Sequence, residues 1–169
     1  MEKTLKDEKL PILGWREWVA LPELRVKQLR CKVDTGARTS ALHAFYIEEF
    51  SKEGVSMVRF GLHPVQGNTE KEIHCEAAVF DRRDVTDSGG HSETRYVIKT
   101  DVVLGKSIWP IEMTLTNRDT MRFRMLLGRT AIADHFLVDS AGSHLAGKPA
   151  SKPTTLPILS YLHDAGEEE

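Results

Sequence analysis

The chain has 169 residues, 23 Lys and Arg against 25 Asp and Glu, a formal charge of −2 and a pI near 6.4. This length supports one well-buried core, and so balanced a charge implies no strong field for nucleic acid or an anionic membrane surface. The apolar runs fall far short of a membrane-spanning helix, and two cysteines, Cys31 and Cys75, make no disulfide framework.

Residues 1–9 are charged, with no apolar signal core behind them, and read as a polar N-terminal tail. The expectation is a cytoplasmic protein with reduced thiols and neither nucleic acid nor membrane as partner. Residues 10–21 read as a first strand, and Pro22-Glu23-Leu24 as a corner. Leu29, Cys31 and Val33 then alternate with Arg30 and Lys32, the period of a half-buried strand. Asp34-Thr35-Gly36 interrupts it with a carboxylate, a hydroxyl and a residue without Cβ. A third strand is expected over 38–47, then a polar connection over 48–54, a strand over 55–62 and a loop over 63–70.

A long hairpin follows, with an outgoing strand over 72–80, a returning strand over 95–104 and a charged tip between them. That tip carries Ser88-Gly89-Gly90, and flexible tips on rigid hairpins often close over sites. Gly105-Lys106-Ser107 ends like a phosphate loop, but Thr100 stands where the first glycine is required, so it reads as a hairpin turn and not an ATP site. Strands over 107–116 and 121–127 are joined by Asn117-Arg118-Asp119-Thr120. Gly128 stops the second of these, residues 129–135 can form a short helix, and 136–139 a last strand. From Ser140 to Glu169 the composition turns to Gly, Ser, Lys and Pro, and the expectation is a mobile C-terminal tail. The class is mainly β, with about seven to nine strands and one short helix, and the spacing of turns suggests a closed or nearly closed barrel over 10–139.

An Asp-Thr-Gly turn by itself is weak, because Asp and Gly are ordinary turn residues and chance supplies the tripeptide in roughly 3% of chains this long. Here it has a partner. Val33-Asp34-Thr35-Gly36-Ala37 in the first half, and Leu126-Leu127-Gly128-Arg129 before a short helix in the second, resemble the two signatures of a retropepsin, with the long hairpin lying where those viral aspartic proteases carry their flap. The fuller strings 14–21 and 32–44 resemble more closely a bacterial family whose members are often labelled ATP-dependent zinc proteases and are predicted to be retropepsin-like. The match covers roughly residues 12–139.

What this resemblance implies is peptide-bond hydrolysis by two carboxylates sharing a proton, one taking a proton from water and the other giving one to the product. With one Asp-Thr-Gly per chain, the second Asp34 would come from a second copy, on the axis of a two-fold homodimer. Thr35 would lock the two turns together and Gly36 would offer its backbone to a peptide or protein substrate. Ala37, Arg38, Gly89, Gly90 and Arg129 would contact that substrate, and no cofactor is required. Two departures stand out. Ala37 replaces a hydroxyl donor found in many cellular aspartic proteases, which should raise the pair's working pH. Arg38 replaces the acidic residue that pairs with the position of Arg129, so two cations meet there unless Asp134, Asp139 or Glu17 neutralises them. Left free, the two guanidiniums would favour acidic, for example glutamate-rich, substrates, and members of the family are associated with glutamate-adding ligases.

Two other classes of function remain open. One is a zinc-dependent peptidase using His43, His74 and His91, although neither these nor Cys75 fall in a metal-binding spacing. The other is a non-catalytic barrel that binds partners.

Overall fold

The computed structural model describes residues 9–117 and 122–157. Within them the chain forms thirteen strands, one 3-10 turn and one short α-helix, and no helix is long and apolar enough to cross a membrane. The strands are β1 (Ile12–Leu13), β2 (Arg16–Leu21), β3 (Val26–Asp34), β4 (Ser40–His43), β5 (Tyr46–Lys52), β6 (Val55–Leu62), β7 (Ile73–Ala78), β8 (Asp81–Thr86), β9 (Ser92–Leu104), β10 (Ser107–Thr116), β11 (Met125–Gly128), β12 (Leu137–Val138) and β13 (Thr154–Thr155). The helix α1 covers Arg129–Ile132, and the 3-10 turn covers Pro22–Leu24.

The main sheet runs β13-β10-β4-β11-β3-β2-β9-β8, and an additional pairing of β10 with β9 brings the order back on itself. Alternation in β2 and β3 explains its inner face. Val19, Leu21, Leu29 and Cys31 point inward and are buried, while Arg16, Trp18, Arg30 and Lys32 point outward. Central strand β11 runs parallel to β3 and antiparallel to β4, with Gly128 opposite Asp34. A second sheet, β5-β6-β7, adds Val58, Phe60 and Leu62 to the same core as Leu42, Ile98, Met113, Met125 and Leu127.

The first expected strand breaks in two at Gly14. A Cβ there would lie 2.2 Å from the Gly142 carbonyl oxygen, so only glycine lets the two segments touch. The polar connection expected over 48–54 is largely strand β5, because its charged side chains sit on an exposed face and one partner strand satisfies its backbone. The expected hairpin is also re-paired. Its outgoing arm is β8, whereas β7 belongs to the second sheet with β6. β8 is a strand despite its charge because its residues pair locally, with Arg83 Nε 2.8 Å from Asp81 Oδ2 and Arg83 Nη1 2.8 Å from Glu112 Oε1.

Composition reads the stretch from Ser140 as a mobile tail, but its described part is fastened to the sheet. Trp15 N–H donates to the Gly142 carbonyl (2.8 Å) and His144 N–H to that of Arg16 (2.9 Å), while β13 pairs in parallel with β10. The fastener is Glu17, which is fully buried. Its carboxylate accepts the backbone N–H groups of Gly14 (2.7 Å), Leu145 (2.9 Å) and Ala146 (3.0 Å). A buried carboxylate is tolerated only when such donors surround it. The tails at residues 1–8 and 158–169, and the turn at 118–121, lie outside the described residues.

Removing the fastener should be expensive. Glu17→Ala strands one buried amide at about 1–3 kcal/mol and two partly buried ones, so urea denaturation should show a loss of about 2 kcal/mol or more. Glu17→Gln, which keeps one carbonyl oxygen, should lose less. Equal stability of Glu17→Ala and the native chain would show that the contacts carry no weight.

Candidate active site

Asp34 is the last residue of β3, and the chain turns immediately after it. Its carboxylate Oδ1 accepts the Gly36 N–H at 3.0 Å, and its carbonyl accepts the Ala37 N–H at 3.2 Å, so the turn is closed on Asp34 itself. A Cβ on Gly36 would sit 3.4 Å from that carboxylate oxygen. Asp34 is half-buried, and Thr35 and Gly36 are exposed beside it.

A second turn clamps the first. Gly128 ends β11 and donates its N–H to the buried hydroxyl of Ser40 at 2.9 Å. The two backbones are so close that a Cβ on Gly128 would lie 2.7 Å from the Thr39 carbonyl carbon and 2.9 Å from Ser40 N. Arg129 then contributes twice, its backbone N–H to the Ala37 carbonyl (2.7 Å) and its Nη1 to the Thr35 carbonyl (3.2 Å). Thr130 does the same to the Arg38 carbonyl, from N–H at 3.1 Å and from Oγ1 at 2.8 Å. Every carbonyl from Asp34 to Arg38 except that of Gly36 is therefore an acceptor in these contacts, and the turn has little freedom to move.

Of the residues singled out in the sequence, Asp34, Thr35, Gly36, Ala37, Arg38 and Arg129 come together here. Gly89 and Gly90 lie elsewhere, at the tip of the β8–β9 hairpin, where their N–H groups turn back onto Asp87 (2.9 and 3.0 Å). The clamp residues Ser40 and Thr130 were not assigned a role in advance; hydroxyls flanking the two motifs were the available signal.

The counter-charges expected for the two arginines are partly engaged elsewhere. Glu17 is taken by backbone amides, and Asp139 Oδ1 accepts the Ala141 N–H at 3.0 Å. Arg38 has an exposed side chain and no ion pair among the described residues.

The three histidines of the zinc alternative do not fit one ion. His43 is buried on β4, with its backbone N–H on the Arg124 carbonyl. His74 on β7 bonds Tyr46 OH (2.9 Å) and meets Glu72 (3.3 Å), and His91 sits at the hairpin tip 3.6 Å from Asp87. Among the described residues no group of three His, Cys, Asp or Glu side chains is arranged to hold a metal. The two thiols offer no alternative nucleophile. Burial, aided by the Glu17 charge, pushes Cys31 up to about 12, and burial pushes Cys75 up to about 11.

Comparison with known families decides the lineage. A model described as the retropepsin-like aspartic endopeptidase RimB matches residues 12–149. The chain belongs to the RimB-like family. Its match therefore includes both turns of the clamp and most of the fastened C-terminal segment. Among solved structures, the Legionella pneumophila protein Lpg0085, of unknown function, superposes with a TM-score of 0.68 at 28% identity, over 82% of this chain and 99% of that one. Curated relatives include proteins named probable alpha-L-glutamate ligase. The one from Shewanella pealeana is 46% identical over 144 residues, 85% of this chain and 31% of that protein. The one from Desulfotalea psychrophila is 44% identical over 130 residues, 77% of this chain and 28% of that protein. The RimB-like chain thus spans about a third of the length of these curated relatives.

The clamp makes a prediction of its own. Gly128→Ala should force the two backbones apart and destabilise the chain by about 1–3 kcal/mol, measured by urea denaturation. An alanine variant as stable as the native chain would mean that the close approach is not needed.

Proposed function

We propose that this RimB-like chain is an aspartic endopeptidase whose site is completed by a second copy. The observation that carries the reading is the clamped Asp34 turn, a single carboxylate held at the end of a strand by a second, glycine-dependent turn. Peptide hydrolysis without a covalent intermediate needs two such groups, because one takes a proton from the attacking water while the other donates one to the leaving amine. Two carboxylates a few ångströms apart share one proton, since both cannot ionise together. One chain supplies one, so a two-fold homodimer supplies the pair. The six-strand circuit β10-β4-β11-β3-β2-β9 is read here as a closed barrel that keeps each turn rigid, and the β8–β9 hairpin as the flap, with Gly89 and Gly90 covering substrate. The cytoplasm is the proposed compartment.

The ligase names of the longer relatives do not compete with this reading. The shared region is about a third of each, and we assign ligation to the remainder. In this chain the one phosphate-loop-like string, Gly105-Lys106-Ser107, spans the β9–β10 turn, where Gly105 has φ +59°. The names do supply a substrate class. Arg38, exposed and without an ion pair among the described residues, presents beside the turn a planar fork suited to a carboxylate, so acidic peptides, such as glutamate-rich tails, are the proposed preference.

Asp34→Asn preserves shape but not proton transfer, and should lower cleavage of an acidic peptide by about two orders of magnitude or more. Excess chelator should leave native cleavage intact. Undiminished turnover by pure Asp34→Asn would end the aspartic mechanism, and activity restored by zinc after chelation would favour a metallopeptidase. A peptide library tests the preference. Native enzyme should favour acidic residues near the scissile bond, and Arg38→Ala should lose that bias; indifference to acidity would contradict it.

A further inference from the structure

On the outer face of β2 and β3, cations gather close together. Arg16 stands directly opposite Lys32, and Trp18 opposite Arg30. Like charges placed opposite each other on a sheet oppose pairing. Over this face runs the C-terminal segment held by Glu17. It brings Lys148 Nζ to 4.3 Å from the centre of the Trp18 ring, while Arg30 Cζ lies 4.8 Å away, and His144 stacks on the same ring at 5.3 Å and 19°. Arg16 is pinned beside them by its Nε–H donating to Ser143 Oγ at 2.8 Å. Arg16, Arg30, Lys32 and Lys148 make no ion pair with any described residue. The crowding registers on His144, whose pKa is held below 6.5 by burial and then by the Arg16 and Arg30 charges. Glu17, the acid whose charge acts on His144, faces the core and is fully buried.

Strand geometry gives the face a direction. Arg30, Lys32 and Asp34 are every second residue of β3, so they share one side at about 6.6 Å per step, leading to the turn. An extended acidic segment presents alternate carboxylates at nearly the same interval. The cations and their spacing match such a segment.

We infer that the outer face of β2–β3, built from Arg16, Arg30, Lys32 and Lys148, is a docking track for an extended acidic polypeptide segment. It lies apart from Arg38 and Arg129 and does not require that the chain hydrolyse anything; it shares with the proposed function only the acidic character of the ligand. A single-stranded nucleic acid is disfavoured on two counts. Its bases want open aromatic faces, and Trp18 is already crowded by His144, Arg30 and Lys148. The chain as a whole is also slightly acidic. The cation–π contacts hold Arg30 and Lys148 in place before a ligand arrives, which lowers the ordering cost of binding.

The test is fluorescence anisotropy with a labelled ten-residue oligo-glutamate, in low salt, on the Asp34→Asn chain so that cleavage plays no part. Binding is expected, and it should weaken as salt rises. Lys32→Glu with Lys148→Glu should weaken it about tenfold or more, and Lys32→Gln with Lys148→Gln by less, both with unchanged circular dichroism. Three results would overturn the inference. These are no binding by the Asp34→Asn chain, a dissociation constant unmoved by charge reversal but abolished by Arg38→Ala, or tighter binding of an RNA decamer to the same lysines. If the track binds and the native enzyme still cleaves nothing, docking stands and the peptidase proposal falls.

Discussion

The proposed active site depends on the contact between Gly128 and the Thr39–Ser40 backbone. Where β11 ends and β4 begins there is no room for a side chain, and the Ser40 hydroxyl fills the gap by accepting the Gly128 N–H. From that contact the chain runs into α1, whose first two residues reach back to the carbonyls of Thr35, Ala37 and Arg38. The carboxylate of Asp34 is thereby held on a turn that these backbone contacts fix. A positioned group of this kind avoids reorganisation during reaction, which is where much of an enzyme's advantage comes from.

A second constraint acts on the neighbouring strand β2, where Glu17 lies opposite Cys31 of β3. Glu17 is a buried carboxylate whose oxygens are satisfied by three amides, two of them from the C-terminal segment. Such an arrangement is more informative than a surface ion pair. Breaking it leaves an uncompensated charge in a low-dielectric interior, and keeping it fixes one conformation of an otherwise Gly- and Ser-rich stretch. Its consequence on the outer face is a set of cations held close together that make no ion pair with any described residue. The chain tolerates that repulsion partly through Trp18, whose ring attracts both Arg30 and Lys148.

Much of the site was legible in the sequence because it is local. The strand before Asp34, the Asp-Thr-Gly turn and the Leu-Leu-Gly-Arg motif each occupy a few consecutive residues, and their alternation and turn chemistry survive folding unchanged. What was not legible is long-range. That Gly14 faces Gly142, that Glu17 binds residues 128 and 129 positions away, and that β7 pairs with β6 instead of β9 follow from tertiary contacts that no local pattern encodes. The charged β8 was missed for a related reason: its stabilising partners are cross-strand, so its composition resembles a loop. The cation track was hidden because its members are scattered over residues 16–148 and meet only when the C-terminal segment closes over β2.

The central claim is that one active site needs Asp34 from two copies. It is tested most directly by mixing native and Asp34→Asn chains at fixed total concentration, after allowing exchange, and measuring peptide cleavage. If both carboxylates are required, only native–native pairs work. An equal mixture should then retain about a quarter of the native activity. Retention of about half, falling in direct proportion to the native fraction, would show that each chain acts alone and would contradict the account.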